Sequence, residues 1–209
     1  MRLNSYNNLL ELFFDQYEKQ DKNNIFLTNL GNPKHKLSWE KTYLLVNHLS
    51  NQISKDIKLG DRCVLISENR PEWLISDLAI MLAGGISVPS YTTYTTKDYE
   101  YIIKDCEPSL IIVSNSIQFN KIKDILDYKK IKKIISFDRL ENLKFQNYLC
   151  IEDIINKKDG FENFDSEISL KRSDPACIIY TSGTQGNPKG VILSHGGILS
   201  NCEGGYELL

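Results

Sequence analysis

The amino-acid sequence predicts an α/β fold, layered, with a mostly parallel sheet flanked by helices. Two observations carry this. Short apolar runs such as Cys63-Val64-Leu65-Ile66, Leu110 to Val113 and Ile134 to Phe137 do not alternate with polar residues, as strands buried on both faces do not. The segments between several of them repeat apolar residues at helical spacing. Strand and helix then follow one another through most of the chain, which is the order of a parallel sheet with helical crossovers. The composition permits such a core: 41% of the 209 residues are hydrophobic and 25% charged, too apolar a mixture for disorder.

Taken in order, Ser5 to Lys19 sets Leu9, Leu10, Phe13, Phe14 and Tyr17 on one helical stripe. Gly31-Asn32-Pro33 marks a turn. Ser38 stands where it can cap a second helix, on which Leu45, Val46, Leu49 and Ile53 share a face. Gly60-Asp61 leads into the Cys63 to Ile66 strand. Pro71 sits in the first turn of the next helix, where a missing N–H costs nothing, and Gly84-Gly85 stop that helix. Ile86 to Pro89 is a short strand. The long uncharged stretch from Leu78 to Thr96 is therefore a helix, a turn and a strand, too interrupted for a membrane span of roughly 20 apolar residues.

Thr95 and Asp98 form a capping box for a helix through Tyr99 to Cys106. Leu110 to Val113 is a strand, Ile117 to Leu126 a helix and Ile134 to Phe137 a strand. Asp138 to Lys171 is polar and irregular, with one short helix around Ile151 to Ile155. Ala176 to Tyr180 and Val191 to Leu193 are strands. A last helix begins near Gly197 and meets no stop signal before Leu209, so the chain is expected to be cut inside an element.

Charge and cysteine usage remove several function classes. There are 25 basic and 27 acidic side chains, and a net charge of −2 lacks the basic excess of a dedicated nucleic-acid binder. The five cysteines and three histidines are scattered, without a C-x-x-C pair, which argues against zinc fingers, iron–sulfur sites and a disulfide framework. Free cysteines in apolar runs suit a reducing cytoplasm. Met1 to Leu12 has neither the apolar core nor the small-residue cleavage site of a signal peptide.

One stretch carries chemistry. Tyr180 is followed by Thr181, Ser182, Gly183, Thr184, Gln185, Gly186, Asn187, Pro188, Lys189 and Gly190, lying between two apolar strands. Glycine allows close approach of backbone to ligand. The hydroxyls of Thr181, Ser182 and Thr184, together with exposed backbone N–H groups, form an anion-binding concavity, and Lys189 adds a point charge suited to phosphate. The stretch is not the P-loop of nucleoside triphosphatases, because Lys189 is followed by Gly190 and a strand instead of Ser or Thr and a helix. A plain solvated hairpin loop would share its turn-forming residues, but not so many specified positions in order.

This string resembles the phosphate-binding signature of the adenylate-forming enzymes, Tyr-Thr-Ser-Gly-Thr-Thr-Gly-x-Pro-Lys-Gly, with Gln185 where threonine or serine is usual. Glu68-Asn69-Arg70-Pro71-Glu72-Trp73, Gly84-Gly85-Ile86-Ser87-Val88-Pro89, Leu37-Ser38-Trp39-Glu40 and Val191-Ile192-Leu193-Ser194-His195 are similar to long-chain fatty acyl-CoA synthetases. The resemblance implies that residues 1–209 are the N-terminal part of an AMP-binding domain, truncated and without the C-terminal lid. It also implies a two-step ligation. A fatty acid carboxylate attacks the α-phosphorus of ATP, with Mg2+ as cofactor, and the coenzyme A thiol then displaces AMP. Residues 181–190 would bind the phosphates. No catalytic or metal-binding residue is assigned, because the family's other motifs lie beyond the position of Leu209, and the chain alone is expected to be inactive.

By the same resemblance the partners are small molecules (ATP, fatty acid and coenzyme A), with no nucleic acid. Related enzymes meet a membrane surface peripherally and dimerise, which leaves both open for a cytoplasmic protein of this kind. Two other readings use the same residues. One changes the acid to an aryl or amino acid. The other is a non-catalytic nucleotide-binding or interaction module, or the product of a degraded gene, ending naturally at Leu209.

Other features receive plainer readings. Lys129-Lys130-Ile131-Lys132-Lys133 is a solvated turn before a strand. Tyr91, Tyr94, Tyr99 and Tyr101 pack beside the sheet. His195 either caps the helix that follows or contacts the substrate pocket, and the structural role is the one assigned. Asp98, Glu100, Asp105 and Glu107 lie on a solvated helix and its end, with no partnered pair for acid–base work.

Overall fold

A computed structural model describes residues 3–29, 31–155, 168–181 and 188–208, without the side chains of residues 4, 33, 34 and 206–208. After a 3-10 turn at Leu3–Ser5, helix α1 spans Leu9–Lys19. It starts four residues later than the apolar stripe suggests, because the Asn8 side chain accepts from the Glu11 N–H and caps it there. A two-stranded antiparallel hairpin follows, β1 (Ile25–Asn29) and β2 (Asn32–Ser38), where the sequence signals only the turn. Ser38 caps α2 (Trp39–Ser54) by accepting from the Lys41 N–H, and Leu45, Val46, Leu49 and Ile53 are buried as their spacing requires.

Strand β3 (Arg62–Ile66) leads to α3 (Pro71–Leu82), with Pro71 at its start, and to β4 (Ile86–Ser90). Gly84 ends α3 at φ +83°, and a Cβ there would stand 2.5 Å from the Ile168 side chain, so glycine is required twice over. The capping box of Thr95 and Asp98 opens α4 (Thr96–Cys106) as expected. Strand β5 (Leu110–Val113), helix α5 (Ser116–Ile122), strand β6 (Lys133–Ser136), strand β7 (Tyr148–Cys150) and helix α6 (Ile151–Ile155) come next. Helix α5 ends four residues short of the expected Leu126, and β7 has no signal of its own in the sequence. The last elements are β8 (Pro175–Thr181), β9 (Lys189–Ser194) and α7 (His195–Leu208).

Among the described residues the main sheet has seven strands in the order β7-β6-β5-β3-β4-β8-β9. All neighbours are parallel except β8 and β9, which pair antiparallel. Both faces are covered. Cys63 and Leu65 point into a cluster with α1, α2 and α3, while Val64 and Ile66 point into a second cluster with α4 and α5. The expected α/β architecture, a mostly parallel sheet between helices, is therefore the one observed.

The plainer sequence readings divide. Tyr99 is fully buried and packs edge-on against Tyr94, but Tyr91 is 65% exposed, so one of the four tyrosines leaves the core. Residues 127–130 form the expected solvated turn. Lys133 departs from that reading: it is buried in β6, its ammonium held by the Asp56 carboxylate and by the Gln52 carbonyl at 3.0 Å. On α4 and at its end, two of the four carboxylates form exposed ion pairs with lysines, as a solvated helix does. Lys104 pairs with Glu100 at 2.7 Å and Lys130 with Glu107 at 2.8 Å. No helix among the described residues is long and apolar enough to cross a membrane.

Candidate functional site

The chain passes from β3 to β4 on one side and then places β5 on the other side of β3. Such a reversal opens a crevice outside the carboxyl ends of the strands, where ligands of open α/β sheets bind. A cleft of about 470 Å³ lies at that point. Ser67, Glu68 and Asn69, just after β3, form one wall, Ser90, Tyr91 and Thr92, at the end of β4, another, and Ile179 of β8 closes it.

These walls are fixed from outside. Arg70 donates to both Asp138 oxygens, at 2.9 and 3.1 Å, and to Glu72 at 3.3 Å, a forked arrangement that holds the start of α3 against the end of β6. The Lys121 ammonium donates to the Thr92 carbonyl at 2.5 Å and to that of Tyr94 at 3.4 Å. Glu68 accepts from the Gln118 amide at 3.0 Å. Partial burial pushes its pKa up, but hydrogen bonding and nearby Arg70 outweigh that, so the carboxyl titrates below its ordinary value.

The glycine-rich stretch leaves the sheet beside this cleft. Thr181 ends β8 and Lys189 opens β9, directly opposite one another in the antiparallel register, and both are exposed. Pro188 is half-buried. Gly190 faces Tyr180, and a Cβ on it would lie 3.0 Å from Ile178 Cγ2 and 3.2 Å from Tyr180 Cζ. Ser182, Gly183, Thr184, Gln185, Gly186 and Asn187 lie outside the described residues. Of the ten candidate residues, the structure thus describes the two stems. They stand at the C-terminal edge of the sheet, on the same edge as the cleft.

His195 is buried. Its Nδ1 accepts from the Leu9 N–H at 3.4 Å, and its own backbone N–H donates to the Asp174 carbonyl at 3.1 Å. Burial lowers its pKa, with Asp174 opposing. The structural assignment stands, but the capping oxygen belongs to Ser194, whose Oγ accepts from the Gly197 N–H at 3.1 Å.

No motif in the sequence marks the cleft. Its one signal is positional, since Ser67 and Tyr91 each directly follow a strand. No group of three or more His, Cys, Asp or Glu side chains suited to a metal occurs among the described residues.

The sequence profile of the AMP-binding enzyme family matches residues 13–208. The chain belongs to that family. It is 30% identical over 198 residues to the long-chain-fatty-acid–CoA ligase ACSBG1 of Rattus norvegicus, covering 90% of this chain and 27% of that protein. It is 32% identical over 196 residues to the ligase ACSBG2 of Xenopus laevis, covering 90% of this chain and 26% of that one. The chain therefore spans about a quarter of the length of the curated relatives it matches. Among solved structures, the anthranilate–CoA ligase AuaEII with anthranoyl-AMP superposes with a TM-score of 0.74 at 22% identity, over 93% of this chain and 36% of that one. Apo MatB of Rhodopseudomonas palustris superposes with a TM-score of 0.71 at 25% identity, over 96% and 36%. The shared architecture is that of the adenylate-forming ligases.

Proposed function

We propose that these residues supply the phosphate grip of an ATP-dependent acid–CoA ligase and form the N-terminal part of its adenylate-forming domain, whose C-terminal lid lies outside them. The acid is first activated as an acyl-adenylate with release of pyrophosphate, and coenzyme A then takes the acyl group as a thioester. A long-chain fatty acid is the proposed acid, on the strength of relatives named for that substrate. Mg2+ would accompany ATP, and no residue of this chain is assigned to it.

One observation carries the reading. Thr181 and Lys189 stand opposite each other at the C-terminal edge of the sheet, at the two ends of a signature rich in glycine and hydroxyl residues. In that position the Lys189 ammonium meets the β- and γ-phosphates, where negative charge accumulates as pyrophosphate departs. The Thr181 hydroxyl donates to the same oxygens, and the residues between them, Ser182 to Asn187, offer backbone N–H groups. Cytoplasmic location, peripheral membrane contact and dimerisation belong to the same proposal.

The test is equilibrium titration of this chain with ATP, followed by NMR chemical shifts so that millimolar affinities can be read. Saturable shifts at Thr181 and Lys189 are expected, weakened about tenfold in Lys189→Ala with unchanged thermal stability, because an exposed lysine packs against little and a charge-assisted contact contributes roughly 1.5–3 kcal/mol. Shifts confined to other surfaces, or equal affinity in the variant, would reject the phosphate role.

A further inference from the structure

Tyr180 lies immediately before the proposed phosphate-binding stretch, and it is held at both ends. Its ring is buried in the cluster shared with α4 and α5. Its hydroxyl donates to Asp105 Oδ2 in the last turn of α4 at 2.5 Å. Its carbonyl accepts from the Tyr94 hydroxyl at 3.3 Å. The parallel register between β4 and β8 is carried by Ser87 opposite Cys177, three residues before Tyr180. β8 pairs with β9 along its whole length, but its register with β4 among the described residues goes no further than Cys177, so side chains tie the hairpin end to the body of the sheet. Gly190 completes the arrangement: directly opposite Tyr180, it has no Cβ to press on the ring.

We infer that Tyr180 is a positioning residue for polyphosphate binding. Its bonds to Asp105 and Tyr94 fix the end of β8, so that Thr181 and Lys189 meet the phosphates at a set separation. This rests on the phosphate reading above and adds to it the residues that hold the stems. Without the anchor the hairpin end would sample other placements, and binding would then select a fraction of them, weakening affinity by that fraction. The effect should reach every polyphosphate alike, because it concerns the stems and not the base.

The experiment titrates ATP and, separately, inorganic tripolyphosphate into this chain and four variants, with thermal midpoints recorded alongside. Tyr180→Phe and Asp105→Ala should each weaken both probes about fivefold, less than loss of a direct contact to phosphate, because the bond acts only by narrowing the placements of the stems. Asp105→Asn, which keeps an acceptor oxygen, should bind within about twofold of the parent chain. The double variant Tyr180→Phe with Asp105→Ala should bind no worse than either single one, since both remove the same bond. Asp105 is exposed, so its variants fold even if Tyr180→Phe does not. If the parent chain binds neither probe, the phosphate reading falls and the inference with it. If it binds both and Asp105→Ala binds equally well, the anchor alone is wrong. Equal weakening in Asp105→Asn and Asp105→Ala would also overturn it, because an acceptor would then be irrelevant.

Discussion

Strands β3 and β9 carry almost the same apolar run, Val64-Leu65-Ile66 in one and Val191-Ile192-Leu193 in the other, and meet opposite fates. Every one of the first three is completely buried. The second three are 42%, 63% and 37% exposed. Propensity cannot separate them, since both runs are β-branched and aliphatic. What separates them is sheet position. β3 has β4 on one side, β5 on the other and a helical layer over each face, whereas β9 ends the strand order, with β8 as its one neighbour among the described residues. An apolar strand is thus evidence of a strand, and its burial is decided by the elements that come to lie beside it. The exposed strand is also the one that delivers Lys189 to the candidate site.

The largest expected effect tests the buried half. Leu65→Ala should destabilise the chain by about 2–5 kcal/mol, because Leu65 faces the cluster of α1, α2 and α3 and its removal leaves a cavity. Ile192→Ala should cost less than about 1 kcal/mol, in keeping with surface substitutions. Urea unfolding of both variants provides the measurement. Similar midpoints for the two would break the comparison outright.

The next effect lies where the two halves join. Asp77 on α3 is half-buried close to Ser87 of β4 and Cys177 of β8, the two residues that carry the β4–β8 register. Burial raises its pKa from 3.8 to about 6, with Ser87 opposing. The folded chain therefore holds this proton more tightly than the unfolded chain does. The contribution of this group to stability is greatest below pH 4, falls as the pH rises from there to about 6, and then stays reduced. The loss is at most about 3 kcal/mol, the shift converted at about 1.4 kcal/mol per pH unit. Asp77→Asn should remove that slope and raise the urea midpoint at pH 7. An unchanged slope would mean that the carboxyl is solvated in the folded chain.

Legibility in the sequence follows the range of the interaction. Ser38, Pro71 and the Thr95–Asp98 box act within a turn of their own residues, so those helix starts can be read locally. The hairpin of β1 and β2 is hidden because β2 reads Asn-Pro-Lys-His-Lys, polar and broken by proline. Strand β7 is three residues long and exists because Ile134 to Ser136 offers it a ladder. Within the site, residues 181–190 announce themselves by type and spacing, and the structure describes the two stems. The Tyr180–Asp105 bond spans 75 residues, and nothing near either residue points to the other. The cleft is a product of strand order, which becomes visible only once β5 is known to lie beside β3.

A smaller effect sharpens the comparison inside β9 itself. Exposure makes most of that strand tolerant, yet Gly190→Ala would set a methyl group 3.0 Å from Ile178 Cγ2 and 3.2 Å from the Tyr180 ring. Overpacking of this kind costs roughly 1–3 kcal/mol, and here the lower part of that range is expected because the hairpin can shift outward. Differential scanning calorimetry should show Gly190→Ala melting below Ile192→Ala. The reverse order would mean that exposure alone governs tolerance along the strand.

The smallest expected change in stability comes with the clearest change in behaviour. Ile192 is the most exposed residue of the apolar run, on a strand whose outer edge carries no neighbour among the described residues. Unpaired edge strands with apolar side chains recruit other chains, and a lysine on such an edge prevents this by charge without disturbing the ladder on the inner side. Ile192→Lys should leave the urea midpoint within the equivalent of about 0.5 kcal/mol, because little contact is lost at so open a position. Concentration-dependent light scattering should fall relative to the parent chain. Leu65→Lys offers the counterpart: the same substitution in β3 would bury an unpaired charge between helices and sheet and should prevent folding. If Ile192→Lys destabilises the chain by several kcal/mol, β9 is covered in solution and the contrast between the two strands disappears. If it scatters as strongly as the parent, association proceeds through another surface.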